Sequence, residues 1–400
     1  MLFWFVLACG IDPEPAPETI EPIVRQVALP SPIGPGTARY APEPIALTGE
    51  HAGVAKELDA LVRVHTRDPQ NPWAIAHGLV ALGADLTLQN DQPAVEWLFE
   101  TYAERVETQV GWVLRFPESE GDTRVEPHPD LILKALADAG VDPDRMVKVK
   151  GESHVVGDLF RGSLAETHFE KRTGQSSFKT PNDLAWTLMG LASWSEAGTE
   201  WTTPSLQTTT IDDLTDHAWL KLSSATTFLA KAKKTKTGFQ KRGQGIFAFT
   251  CGGAHMIQGV NHAKLRGFGH SSLDGPIKVQ MELLTYRYPV ELAQIDAALV
   301  EHPKYAAALL IQRLKLTGHT LETLARLSAS GHADAPTTAS LAPYVAAVVE
   351  TVKRLRESGL FGQVDQLKTT DYQRYLDLVG DSAHALRGLR IATGESPVFY

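Results

Sequence analysis

A chain of 400 residues, 43% hydrophobic and 21% charged, has the composition of a globular protein with a sizeable core, enough for one large or two ordinary domains. A formal charge of −9 gives no support to nucleic-acid binding, and no nucleic-acid partner is expected. The two cysteines, Cys9 and Cys251, are too few for a disulfide framework or a four-cysteine zinc site.

The apolar opening from Met1 to Gly10 is shorter than the ~20 residues needed to span a bilayer and matches the apolar stretch of a secretory signal. Within it, Val6-Leu7-Ala8-Cys9 resembles a bacterial lipobox, although basic residues before it are missing. The resemblance implies acylation of Cys9, a membrane contact through that lipid, and a place in the bacterial cell envelope. Nine prolines between residues 11 and 50 then oppose helix and sheet, so residues 10–50 read as an extended tether.

From residue 51 to 400 nearly every segment carries helical signals. Val54–Val64 has helical apolar spacing. Asn71-Pro72 supplies an N-cap with proline at the first helical position. Asp91 and Pro93 open a helix through Trp97, and Gly111 to Pro117 is a strand or an extended connection. Pro129-Asp130 starts a helix that stops at Gly140, and Asp142-Pro143 begins a short one. Residues 151–179 are glycine-interrupted and irregular. Thr180-Pro181 and Thr210 open the next two helices. Gly245 to Ala263 reads as a central helix rich in small residues. Pro276 begins a helix that Pro289 must break or kink, followed by helices over 290–302, 304–316, 321–327, 341–357 and 372–393. The class is therefore all-α, with about a dozen helices.

One phrase recurs on these helices. Ala254-His255-x-x-x-Gly259-Val260 is echoed by Ala76-His77 with Ala81-Leu82, Ala185-Trp186 with Gly190-Leu191, and Ala383-His384 with Gly388-Leu389. Ring and small residue stand four apart, hence on one helical face. The pattern suits either close helix packing or a cavity lined by His77, Trp186, His255 and His384. The phrases are 109, 69 and 129 residues apart, which is not a solenoid period.

Helix number and phrases together resemble the α/α-toroid group, which includes terpenoid cyclases, protein prenyltransferase β subunits, lanthionine synthetase cyclases and several polysaccharide lyases. The resemblance implies inner helices around a central cavity; an irregular helical bundle or solenoid is the structural alternative. It also implies two chemical options. Cys251 and His255, four apart on the expected central helix, could share a zinc ion with ligands from other helices such as His77 or His384. Asn261 and His262 with Tyr286, Arg287 and Tyr288 are similar in type to the charge-neutralising and acid–base groups of the lyases. Asp212-Asp213-Leu-Thr-Asp216 matches a magnesium-diphosphate motif, but it stands where a helix cap already favours acids. The leading expectation is a lipid-anchored protein that binds a small molecule, glycan or protein partner through its cavity or scaffolds one, with a toroid-type enzyme as the alternative.

Overall fold

Capping chemistry sets where the helices begin. Asn71 accepts a hydrogen bond from the Ala74 amide at 3.1 Å, with Pro72 as the first helical residue. Thr180 and Asp183 close a full capping box ahead of Pro181, and Asp371 accepts from the Arg374 amide at 3.1 Å. The computed structural model describes residues 29–108, 110–170, 175–203, 207–241, 243, 245–270 and 274–400. Cys9 and the lipobox lie outside the described residues.

Among the described residues thirteen α-helices follow in chain order. They are α1 (Gly49–His65), α2 (Pro72–Leu82), α3 (Ala94–Tyr102), α4 (Leu131–Asp138), α5 (Asp158–Glu166), α6 (Pro181–Trp194) and α7 (Ile211–Thr235). Then come α8 (Ala254–Leu265), α9 (Asp274–Glu301), α10 (Ala306–Ser330), α11 (Ala342–Glu357), α12 (Val364–Thr370) and α13 (Tyr372–Ala392). The fold is all-α; among the described residues the strands form only two-stranded ribbons, one of them Glu104–Thr108 with Gly111–Arg115. No helix among the described residues is long and apolar enough to cross a membrane.

Packing closes six of the helices into a ring. α2 lies against α4, α4 against α6, α6 against α8, α8 against α10, α10 against α13, and α13 returns to α2. These six form a closed inner ring, buried nearly all round except where the longer α10 and α13 emerge. Outside it, α1, α3, α5, α7, α9 and α11 back the inner helices. The half-buried outer helices show the amphipathic pattern, whereas α6 buries every residue from Asn182 to Trp194.

The glycines of the repeated phrase lie at the joints of the inner ring. A Cβ on Gly259 of α8 would stand 2.9 Å from the carbonyl oxygen of Ala185 on α6. One on Gly190 of α6 would meet the Leu133 side chain of α4 at 2.8 Å, and one on Gly388 of α13 would meet the Glu322 amide of α10 at 2.8 Å. Glycine costs up to ~1 kcal/mol in a helix, and here that cost is offset by backbones approaching closely enough to close the ring.

Several elements differ from the sequence reading. Gly245–Ala263 is not one helix: a 3-10 turn covers Gly245–Phe247 and α8 begins only at Ala254. Gly252 and Gly253, at φ 56° and 81°, turn the chain between them. α10 is continuous where a break was expected around residues 317–320, because Gly318 fits against Ala385 of α13. α9 runs through Pro289 unbroken. Pro289 and Thr285 are both exposed, so water can take the carbonyl that the proline leaves unbonded. Residues 142–145 form a turn into the strand Met146–Val149 rather than a helix, and the irregular region contains α5.

The described half of the proline-rich segment is not a free spacer. Leu29 and Ala41 are buried, the Ile33 amide donates to the Trp194 carbonyl at 2.8 Å, and Ala38–Arg39 pairs antiparallel with Val398–Phe399. Proline discourages helix, but the extended chain it favours can still pair and pack. This strap and the C-terminal residues sit at the end of the ring where α6 and α13 finish.

Candidate functional site: a triple-histidine centre in the ring

The opposite end of the ring holds a cavity of about 220 Å³, lined by side chains from the early turns of α2, α6 and α8, from the middle of α10 and from α13 between Gln373 and His384. The rings of the repeated phrase, His77, Trp186, His255 and His384, all face it. The phrase therefore does two jobs on one helix face: its small residue fits against a neighbouring helix and its ring projects to the centre. Ring centroids lie 5.4 Å apart for His77 and His384, 5.2 Å for Trp186 and His255, and 5.4 Å for His255 and His384.

The residue that completes the group is His319 of α10, with centroids 4.1 Å from His384 and 4.6 Å from His255. Ligand nitrogens of His255, His319 and His384 all lie within 4.8 Å of one another. Tetrahedral zinc with Zn–N bonds of about 2.0–2.1 Å places its nitrogens roughly 3.4 Å apart, so side-chain rotations closing about an ångström would complete a site.

Carboxylates behind two of the imidazoles set their tautomers. His384 donates through Nδ1 to Glu322 Oε2 at 2.7 Å, which leaves Nε2 with its lone pair. His319 donates through Nε2 to Asp381 Oδ1 at 3.3 Å, and its Nδ1 is buried with no partner. Nδ1 of His255 is likewise buried and unpartnered. Burial, reinforced by His319 beside each, holds His255 and His384 well below the usual histidine range. Both are neutral at pH 7, the state a metal ligand requires.

Beneath the histidines is a buried charged layer. Lys134 of α4 pairs with Asp138 at 2.8 Å, and Arg326 of α10 reaches the other oxygen of Asp138 at 2.8 Å. Burial alone would raise the Asp138 and Glu322 carboxyls. Arg326 and Lys134 outweigh it and hold both below the usual carboxylate range. Glu322 thus stays an anion behind His384. At the mouth, His128 contacts Asp183 at 3.2 Å and packs edge-on to Trp186, with centroids 4.6 Å apart. Lys315 is bound to Asp377 at 3.2 Å and to Asp381 at 3.7 Å.

Other sequence candidates are placed differently. Cys251 lines the cavity, but on the turn before α8, so it does not share a helix face with His255, and it is outside the group whose ligand atoms converge. Burial pushes its thiol up, away from the thiolate a metal needs. The expected lyase-like constellation is scattered. Asn261 and His262 lie deeper on α8, where His262 bonds Ser193 at 2.9 Å and stacks on Tyr400. Tyr286 donates outward to the Thr237 carbonyl at 3.0 Å, Arg287 pairs with Glu291, and Tyr288 packs on Tyr344. None of these five lines the cavity: Tyr286, Arg287 and Tyr288 are carried by α9, a helix outside the inner ring. Asp212 and Asp216 hold the amides of Gly269 and His270, which occupies the oxygens a magnesium ion would need.

His319 escaped the sequence reading because Thr317-Gly318-His319-Thr320 looked like a gap between helices. The available signal was the histidine after a glycine, with Glu322 one turn on. A larger surface groove of about 570 Å³ between residues 45–47, α1 and α13 contains no comparable set of unpaired ligand atoms. No family model, curated protein or solved structure matches this chain.

Proposed function

We propose that the protein is a metal-dependent enzyme whose centre is held by His255, His319 and His384 inside the helical ring. The observation that carries this reading is the convergence of three buried imidazoles from three neighbouring inner helices, two of them backed by carboxylates. A histidine with a carboxylate behind it is the usual arrangement of a zinc ligand, since the second partner fixes the ring and raises its basicity. Three protein ligands would leave a fourth position for water or substrate, as in catalytic rather than structural zinc sites. When bound, such an ion polarises a ligand oxygen and lowers the pKa of a coordinated water to about 7.

The chain's own groups supply the rest. Asp183 orients His128 at the mouth of the same cavity, where its other ring nitrogen is placed to give or take a proton. Trp73 and Trp186 add apolar surface to the cavity wall. In this reading the toroid-like ring is a rigid frame for chemistry rather than a scaffold for a partner. Its setting is the bacterial envelope, with Cys9 acylated and the body held near the membrane; support for that comes from the Val6–Cys9 sequence alone.

The test is metal analysis of the full chain purified without tag or chelator. One equivalent of zinc is expected in the wild type and in Cys251→Ser, and none in His319→Ala. No stoichiometric metal, even after dialysis against zinc, would sink the enzyme reading and leave a ligand-binding cavity. For the envelope setting, Cys9→Ser should abolish incorporation of labelled palmitate in a bacterial host; unchanged labelling would refute the anchor.

A further inference from the structure

We infer that the cavity takes a small carboxylate carried on a body about the size of a six-membered ring, its acid group on Arg124 at the mouth and its body reaching toward the metal position. This rests on the metal-centre reading and adds the class of ligand. Size comes first. A dry cavity of about 150 Å³ accommodates benzene. The cavity here, at about 220 Å³, has room for a ring with one or two substituents. Its walls agree, since Trp73, Trp186, Phe249 and Leu376 offer apolar surface to such a body.

Charge selects the acid. Lys315 is already matched by Asp377 and Asp381. Arg124 is different: it stands at the mouth, hydrogen-bonded through Nη1 to the neutral Gln373 amide at 2.8 Å, with no carboxylate in ion-pair range among the described residues. Its guanidinium keeps free N–H groups for a bidentate carboxylate. Trp73, Asn182, His255 and Gln373 reach the cavity from the first turns of α2, α6, α8 and α13, so the positive ends of four inner helices face it as well. The unpartnered Nδ1 atoms of His255 and His319, both more than nine-tenths buried, mark where the ligand's electrophilic partner sits. A bound divalent ion leaves this cavity with excess positive charge, which a neutral ligand does not compensate.

The experiment uses the full chain loaded with Co²⁺, whose visible spectrum reports its coordination. Benzoate represents an aromatic acid and glucuronate a sugar acid; benzyl alcohol and methyl glucoside are their neutral counterparts, and acetate is the acid without a ring. Saturable spectral changes are expected with one or both ring acids, at lower concentration than with acetate, and none with the neutral compounds. Benzoate alone would assign an aromatic acid, and glucuronate alone a sugar acid. Arg124→Gln, at an exposed site, should keep the cobalt spectrum and weaken ring-acid binding at least ~10-fold, the scale of a charged hydrogen bond. Failure to bind cobalt removes the metal reading and this inference with it. Cobalt bound through His319 but indifferent to the ring acids, or equally responsive to acetate, to neutral rings or in Arg124→Gln, overturns the inference while leaving the metal centre standing.

Discussion

Acidifying the metal-free protein should expose its buried histidines as a stability loss of calculable size. His77 and His262 are fully buried, and burial holds each at about 3, against about 6.5 in an unfolded chain. His262 shows why: its Nδ1 has no partner, and Arg326, Arg266 and Lys134 face it with only Asp138 in opposition. The unfolded chain takes up a proton on each histidine as the pH falls through 6.5, and the folded chain does not until near 3. Stability is therefore intact above about 6.5 and is lost as the pH falls between those values. From pH 7 to 5 each histidine costs about 2 kcal/mol. His255 and His384 act in the same direction. Asp130, pushed by burial up to about 6, acts oppositely, contributing roughly 1 kcal/mol over the same interval; the buried Glu126, also raised, adds to it. A double difference isolates one group. Urea unfolding of wild type and His262→Asn with EDTA, at pH 7 and pH 5, should show the variant losing about 2 kcal/mol less than wild type on acidification. The same loss in both would mean that folded His262 protonates normally and that the layer beneath the metal position is wet.

Other perturbations separate packing from chemistry. Gly259→Ala places a methyl 2.9 Å from the Ala185 carbonyl, backbone that cannot swing aside, and should cost about 1–3 kcal/mol in urea unfolding. Gly53→Ala, on exposed α1 with nothing nearby, should be neutral or stabilise by up to ~1 kcal/mol; equal effects would refute the ring-joint assignment. Glu322→Gln keeps the side-chain shape but removes the anion behind His384, so competition against a chromophoric chelator should show zinc binding weakened ~10–100-fold. Unchanged affinity would mean that His384 is not a ligand.

How far the sequence revealed this arrangement depended on whether the signal was local. Caps at Asn71, Thr180 and Thr210 are written in adjacent residues, and so the helices they open were legible. The phrase of ring and small residue was legible too, because periodicity places both on one face. What could not be read was which helices are neighbours. Cys251 and His255 are four apart in sequence, yet two left-handed glycines put a turn between them, whereas His255, His319 and His384 meet across 129 residues of chain. His319 was hidden for a related reason: Gly318 looked like a helix breaker until Ala385, on another helix, filled the space beside it. The group from Asn261 to Tyr288 failed in the opposite way, since closeness in sequence suggested a cluster that α8 and α9 hold apart.

Taking each ligand from a different helix has an energetic consequence that leads to a final prediction. His255, His319 and His384 belong to α8, α10 and α13, consecutive members of the inner ring, and an ion bound to all three ties that arc together. An unfolded chain would need to close loops of about sixty residues twice to offer the same ligands, so the ion prefers the folded state strongly. Ligand linkage then adds RT ln(1 + [L]/Kd), about 4 kcal/mol when free zinc is a thousand times its Kd. Urea midpoints for the wild type should rise with zinc and continue rising logarithmically, while His319→Ala should stay flat. Zinc should also slow amide exchange in α8, α10 and α13 more than in the outer α7 and α11. A rise shared by the variant would place zinc on surface carboxylates and histidines, and the three imidazoles would then be an internal hydrogen-bonded cluster that closes the ring without a metal.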